Sequence, residues 1–254
     1  MGYNFIFATI PPGFEGISCV AWGNNLYLAV QGQTTQVLTS PTGYIWTFAG
    51  STFDVALPGS ESLFWSDSLQ LFVYFSGIYL QTTADGIVWS LVYDPPALDS
   101  ETGNLAWDGG DGYIYILGKF LGENTVYYIG VNDLPSGNWL RPVNPVFNTF
   151  TSFKAVTVGQ NKTVLAGQGI LAYSTGSGDS FDLNPSFGYN DEGLYECVSF
   201  GNDVFVAGES SAYALATSSD GVNWFLDTAV PFPANYSAFA NQNFIIWANS
   251  TGTI

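Results

Sequence analysis

The chain has 254 residues and a formal charge of −17, with 21 acidic side chains set against Lys119, Arg141, Lys154 and Lys162. Such a surface repels polyphosphate backbones and anionic bilayers, and no apolar run is long enough for a spanning helix, so neither nucleic acid binding nor membrane insertion is expected. With no histidine and two cysteines the chain can build neither a Ser-His-Asp triad nor a structural zinc site; no cofactor is expected and no metal ligand is assigned, although loop carboxylates ringing a channel mouth can collect a hard cation such as Ca²⁺, while a 47% hydrophobic fraction provides for a large core.

The N-terminal stretch from Met1 to Pro11 lacks the basic start, the continuous apolar run and the small-residue cleavage site of a secretory signal, so no export by that route is expected. The first unit follows, Ile17-Ser-Cys-Val-Ala-Trp-Gly-Asn-Asn-Leu-Tyr-Leu-Ala-Val30, which reads as strand, tight turn, strand. Ser40-Pro-Thr-Gly-Tyr-Ile-Trp46 then marks a second hairpin. The second unit runs from Ser62 to Tyr74, with Thr83-Ala-Asp-Gly-Ile-Val-Trp89 in the same register, Asp-Gly being a tight-turn dipeptide. The third, from Leu105 to Leu117, carries the longest inner insertion, Gly118-Lys-Phe-Leu-Gly-Glu-Asn124. Its second turn has drifted to Asn132-Asp-Leu-Pro-Ser-Gly-Asn-Trp139.

The fourth unit spans Ala155 to Ala166, with a drifted turn between Ser174 and Phe181. The fifth, Tyr195-Glu-Cys-Val-Ser-Phe-Gly-Asn-Asp-Val-Phe-Val-Ala-Gly208, matches the first nearly position for position and is followed by Ser218-Ser-Asp-Gly-Val-Asn-Trp224. The sixth starts at Ser237 and reaches Ile254 before any second hairpin. Trp22, Trp65, Trp107, Val158, Phe200 and Phe239 precede the successive turns at intervals near forty residues, within the period of propellers and solenoids.

Two hairpins per unit make a four-stranded antiparallel blade, and a circular array removes exposed sheet edges. The expected fold is therefore an all-β, six-bladed β-propeller forming a single domain over 1–254. Gly2 to Pro11 resembles Gly221 to Pro231, which predicts that an N-terminal strand at about 3–10 completes the sixth blade begun at about 236–254. Cys19 and Cys197 fall at equivalent positions of non-adjacent units, beyond the roughly 7 Å reach of a disulfide.

The Ser218 to Trp224 pattern, with Thr83 to Trp89 as a variant, resembles the Asp-box or BNR repeat of sialidase-like propellers. That resemblance implies a peripheral folding element in which Asp85, Asp220 and the tryptophans Trp46, Trp89, Trp139 and Trp224 are structural. It does not imply sialidase activity, because that family grips its substrate carboxylate with three arginines and this chain has one.

Connections from an outer strand to the next inner strand share one face of a propeller, and here they hold Glu15, Glu61, Asp99, Glu101, Asp191 and Glu192. Glu15, Glu61, Glu101 and Glu192, with Phe120 in the inner insertion, are the candidate binding residues, and no catalytic residue is assigned. A low lysine content, diverged blades and a surface rich in Ser, Thr, Asn, Gly and Tyr lead to the expectation of a non-enzymatic bacteriophage structural protein. It would be a spike, fibre, baseplate or capsid-decorating component on the virion surface, partnered by other virion proteins or a host-surface glycan. The alternatives are a secreted extracellular glycan-binding lectin and a glycoside hydrolase that uses loop carboxylates.

Overall fold

A computed structural model describes residues 8–13, 17–31, 36–49, 62–77, 79–92, 105–120, 123–140, 153–167, 170–175, 181–183, 195–209, 214–227, 230, 234–240 and 243–247. The first unit forms a meander of β1 (Ile17–Gly23), β2 (Leu26–Gln31), β3 (Val37–Ser40) and β4 (Thr47–Phe48). The second repeats it with β5 (Ser62–Ser66), β6 (Leu71–Phe75), β7 (Leu80–Thr83) and β8 (Ser90–Leu91). The third has three strands, β9 (Leu105–Asp108), β10 (Tyr113–Phe120) and β11 (Glu123–Gly130).

Four strands return in β12 (Phe153–Gly159), β13 (Lys162–Gly167), β14 (Ile170–Ser174) and β15 (Asp182–Leu183). The fifth blade consists of β16 (Tyr195–Gly201), β17 (Val204–Glu209), β18 (Ala214–Ser218) and β19 (Phe225–Asp227). A final two-stranded sheet joins β20 (Tyr236–Ala240) to β21 (Asn243–Trp247). All the ladders are antiparallel, and β20 packs against both β16 and β1, which closes the ring. Among the described residues no helix is long and apolar enough to cross a membrane.

The expectation of six four-stranded blades is thus corrected: the fold is an all-β propeller with five blades of three or four antiparallel strands. In the third blade Leu134–Ser136, with Pro135 inside it, forms a 3-10 turn where the first, second and fifth blades have their tight turn, and Gly137 leaves it in the left-handed region at φ 66°. Among the described residues the outer strand amounts there to one bridge, in which Tyr128 and Leu140 exchange backbone hydrogen bonds of 2.9 and 2.8 Å. Of the expected closing strand, Thr9 is seen to donate its N–H to Tyr44 O at 2.7 Å and to accept the Trp46 N–H at 3.1 Å, a parallel bridge to the outer turn of the first blade. The rest of the expected closing strand, 3–7, and residues 248–254 lie outside the described residues.

The inner hairpins turn through two residues in the left-handed region, Asn24 and Asn25 at φ 49° and 59°, and Asn202 and Asp203 at 46° and 58°. This backbone matches the twist of the flanking strands, and Asn and Asp tolerate it better than most side chains. Across the ladder an aromatic residue before the turn meets a second ring in several of the hairpins: Trp22 on Tyr27 at 4.4 Å, Phe200 on Phe205 at 4.5 Å, Phe239 on Phe244 at 4.7 Å. The core lies between neighbouring sheets. Leu28 and Val30 of the first blade pack with Phe72 and Tyr74 of the second, and Val164 and Ala166 of the fourth with Tyr195 and Phe205 of the fifth. Each such large side chain contributes about 1.5–3 kcal/mol by leaving water.

The outer turns are closed by their own side chains. In the fifth blade the Gly221 N–H donates to Ser218 Oγ at 2.8 Å, Asp220 Oδ1 accepts the N–H groups of Val222 and Asn223 at 2.9 and 2.7 Å, and the Trp224 indole donates to Gly221 O at 3.2 Å. Thr83, Asp85, Gly86 and Trp89 repeat this in the second blade, and Ser40, Gly43 and Trp46 in the first, without a carboxylate. Burial works against the Asp220 anion, but the hydrogen bonds from Asn223, Val222 and Ser218 outweigh it and hold the carboxyl well below the usual range. Trp139, after the altered turn of the third blade, leaves its buried indole N–H without a partner.

Candidate functional site

The inner strands β1, β5, β9, β12 and β16 end their sheets and carry a ladder on one side alone, so their other edge faces the axis of the ring. They and β20 surround a central channel with a cavity of about 490 Å³. Side chains in these strands alternate toward the two neighbouring sheets, which leaves few routes by which one can reach the channel.

Three β-bulges provide such a route. Ile17 pairs with Gln31 and Cys19 with Val30, so Ser18 is an extra residue in β1. Phe153 and Ala155 flank Lys154 in the same way, and Tyr195 and Cys197 flank Glu196. An extra residue bends the strand and re-aims its side chain. The consequence is visible in the packing: Ile17 and Cys19, two apart in sequence, belong to cores on opposite faces of the first blade, as do Phe153 and Ala155 of the fourth. The flanking residues keep their packing on the two faces, and Ser18, Lys154 and Glu196 line the cavity beside Cys19, Ala155 and Cys197.

The three sit at the N-terminal end of their strands, toward the face where each blade hands over to the next. Lys154 is exposed and Glu196 half-buried on adjacent blades. Burial raises the Glu196 carboxyl above its ordinary range, and the coulombic pull of Lys154 draws it part of the way back. Ser18 donates to Val30 O at 3.1 Å. At the opposite end of the channel the polar groups are occupied with one another. Ser66 donates to Asp108 at 2.5 Å, Asp108 accepts the Gly110 N–H at 2.8 Å, and the Trp65 indole donates to Asp67 at 2.9 Å. Cys197 is buried, donates to Ala234 O at 3.5 Å and has its thiol pushed up to about 12 by burial; neither it nor Cys19 is in a disulfide.

Of the residues anticipated from sequence, Glu15, Glu61, Glu101 and Glu192 lie outside the described residues, as do Asp99 and Asp191. Phe120 ends β10, its backbone paired with Glu123, so its hairpin projects on the same face as Ser18, Lys154 and Glu196; its side chain is outside the description. Among the described residues no three His, Cys, Asp or Glu side chains gather as a metal site. Lys154 and Glu196 were not anticipated. The available signal was a charged residue inside an otherwise apolar inner strand, in a chain with four cations in all.

No protein-family model matches the sequence, and no curated protein is significantly similar to it. Solved structures are similar in fold. A gluconolactonase from Xanthomonas campestris, XC5397, is 12% identical with a TM-score of 0.64 over 92% of this chain and 83% of that one. The virginiamycin B lyase from Staphylococcus aureus is 11% identical, with a TM-score of 0.64 over 92% and 78%. YCF48 from Cyanidioschyzon merolae is 14% identical, with a TM-score of 0.56 over 91% and 76%. Such likenesses establish the propeller fold alone.

Proposed function

We propose that this propeller is a non-enzymatic binding scaffold, a structural component of the exterior of a bacteriophage particle that engages other virion proteins or a host-surface glycan. The observation that carries the reading is the apolar rim. Ile45, Val88 and Phe225 are 65%, 69% and 73% exposed, and Tyr44, Phe48, Ile87, Leu91 and Leu226 are exposed beside them, all in the outer turns and outer strands of three blades. Outer strands of two or three residues are too short to recruit another strand, so what the rim offers a neighbour is side-chain packing. A particle component surrounded by neighbours has a use for such a rim.

The side-chain closure of the Thr83 to Trp89 and Ser218 to Trp224 turns supports reading them as Asp boxes with a folding role. The charge of −17 supports protein or neutral glycan over nucleic acid as partner. The test is immunogold electron microscopy of purified phage particles with an antibody raised against this chain. Labelled particles are expected, and protein found only free in medium or cytosol overturns the reading.

A further inference from the structure

We infer that the bulge residues Lys154 and Glu196, together with Ser18, form a pocket at the mouth of the channel for one neutral polyhydroxylated ligand, a single sugar residue. The inference rests on the reading of the chain as a binding scaffold and is independent of where the chain resides.

The bulges carry the argument. The fold inserts an extra residue at the same point of three inner strands, and each one lines the cavity together with the small residue that follows it, Cys19, Ala155 or Cys197, while Ile17, Phe153 and Tyr195 before them stay in the core. Residues at neighbouring positions repeat in type from unit to unit, with Ile17, Phe153 and Tyr195 before the bulge and Cys19, Ala155 and Cys197 after it. The bulged position holds hydroxyl, ammonium and carboxyl groups in turn. The scaffold is symmetric and the set of groups it presents is not, so the pocket accepts one asymmetric ligand per chain.

The chemistry of that ligand follows from what the groups can exchange. An ammonium donates three hydrogen bonds and accepts none, an ionised carboxylate only accepts, and a hydroxyl does both. A partner for this lining needs several groups that each donate and accept, as sugar hydroxyls do. The charges of Lys154 and Glu196 oppose each other on adjacent blades, coupled through space rather than by a hydrogen bond, and together favour a ligand without net charge. Because Lys154 is exposed, charge pairing with a zwitterion is screened and contributes little. Phe64, half-buried in the cavity wall, gives an apolar surface for sugar C–H groups, and the cavity as a whole, at about 490 Å³, falls in the range of small-molecule sites.

The full chain should be titrated at millimolar concentration with D-glucose, D-galactose, D-mannose, N-acetyl-D-glucosamine and, as the zwitterionic probe, glycine, followed by saturation-transfer NMR and calorimetry. The expected result is saturable binding of at least one sugar at one site per chain, with the sugar recovered unchanged. Lys154→Met and Glu196→Gln should each weaken it tenfold or more while thermal melts show both variants folded. Failure of every sugar to bind, binding of glycine in place of sugars, or sugar binding that neither substitution alters overturns the inference. A sugar recovered cleaved or converted overturns the scaffold reading instead, and particle labelling is read separately.

Discussion

The indole ring of Trp65, in the second blade, lies so close over the backbone of Gly23 in the first that a Cβ there would overlap its ring carbons. Phe200 stands over Gly159 and Phe239 over Gly201 in the same manner, so one aromatic residue locks each of three seams to a glycine of the preceding sheet. Gly201→Ala is expected to cost about 1–3 kcal/mol, as overpacking a filled interior does. Thermal denaturation should show it. The double variant with Phe239→Leu should recover part of the loss, because the two changes act on one contact.

Asp220 and Asp85 are held below the ordinary carboxylate range. For Asp85 the Ile87 N–H is the largest cause; for Asp220 burial opposes the anion and the hydrogen bonds of its turn prevail. A carboxyl whose folded pKa is depressed stabilises the fold fully above its unfolded pKa of about 4 and loses that contribution as pH falls through the folded value. Asp220→Asn should therefore lower the melting temperature at pH 7 and differ progressively less from the parent in strong acid. Melts taken as a pH series check this, and a deficit that persists unchanged in strong acid contradicts it.

Glu196 behaves in the opposite sense. Burial raises its carboxyl in the folded state, so the anion opposes folding at neutral pH and protonation relieves it as pH falls. Glu196→Gln should raise the melting temperature at pH 7, and the gain should fade toward pH values where the parent residue is itself protonated. Lys154→Met should move the Glu196 titration upward, which carboxyl carbon NMR would resolve.

The inner hairpins were legible in the sequence because they repeat. Ile17 to Val30 and Tyr195 to Gly208 match in residue type, and β1 and β16 share one burial pattern as well as one bulge. The number of complete blades was not legible. The sequence count rested on inner hairpins, whereas a blade also needs outer strands, which are two or three residues long and leave little periodicity to detect. In the third unit Pro135 and a 3-10 turn precede Leu140, and among the described residues the outer strand there amounts to one bridge. The bulges escaped for a related reason. Ser18, Lys154 and Glu196 read as ordinary strand positions until the register of the partner strand shows one residue too many.

The apolar rim invites a separate test. Ile45→Ser, Val88→Ser and Phe225→Ser alter exposed side chains, so each should change stability by no more than about 0.5 kcal/mol. If the rim joins the chain to its neighbours in a particle, the triple variant should be depleted from purified particles while its melt stays close to that of the parent.

Cys197 offers a probe of opening. Its thiol is buried and pushed up to about 12, so it should resist a thiol-specific reagent at pH 8 in the native state and react once denaturant exposes it. Prompt labelling of Cys197 in the native protein would contradict the burial described here.

The hairpin β20–β21 meets β1 across some two hundred residues of intervening chain. Every other seam joins consecutive units and can form as soon as both are available, whereas this one must wait until the circle comes round. Loop closure over such a distance carries a large entropic cost and belongs late in folding. The same junction is the natural place for the ring to breathe, since opening it releases the longest loop for the fewest strands. Amide exchange should therefore be fastest, among the inner strands, in β20 and along the facing side of β1.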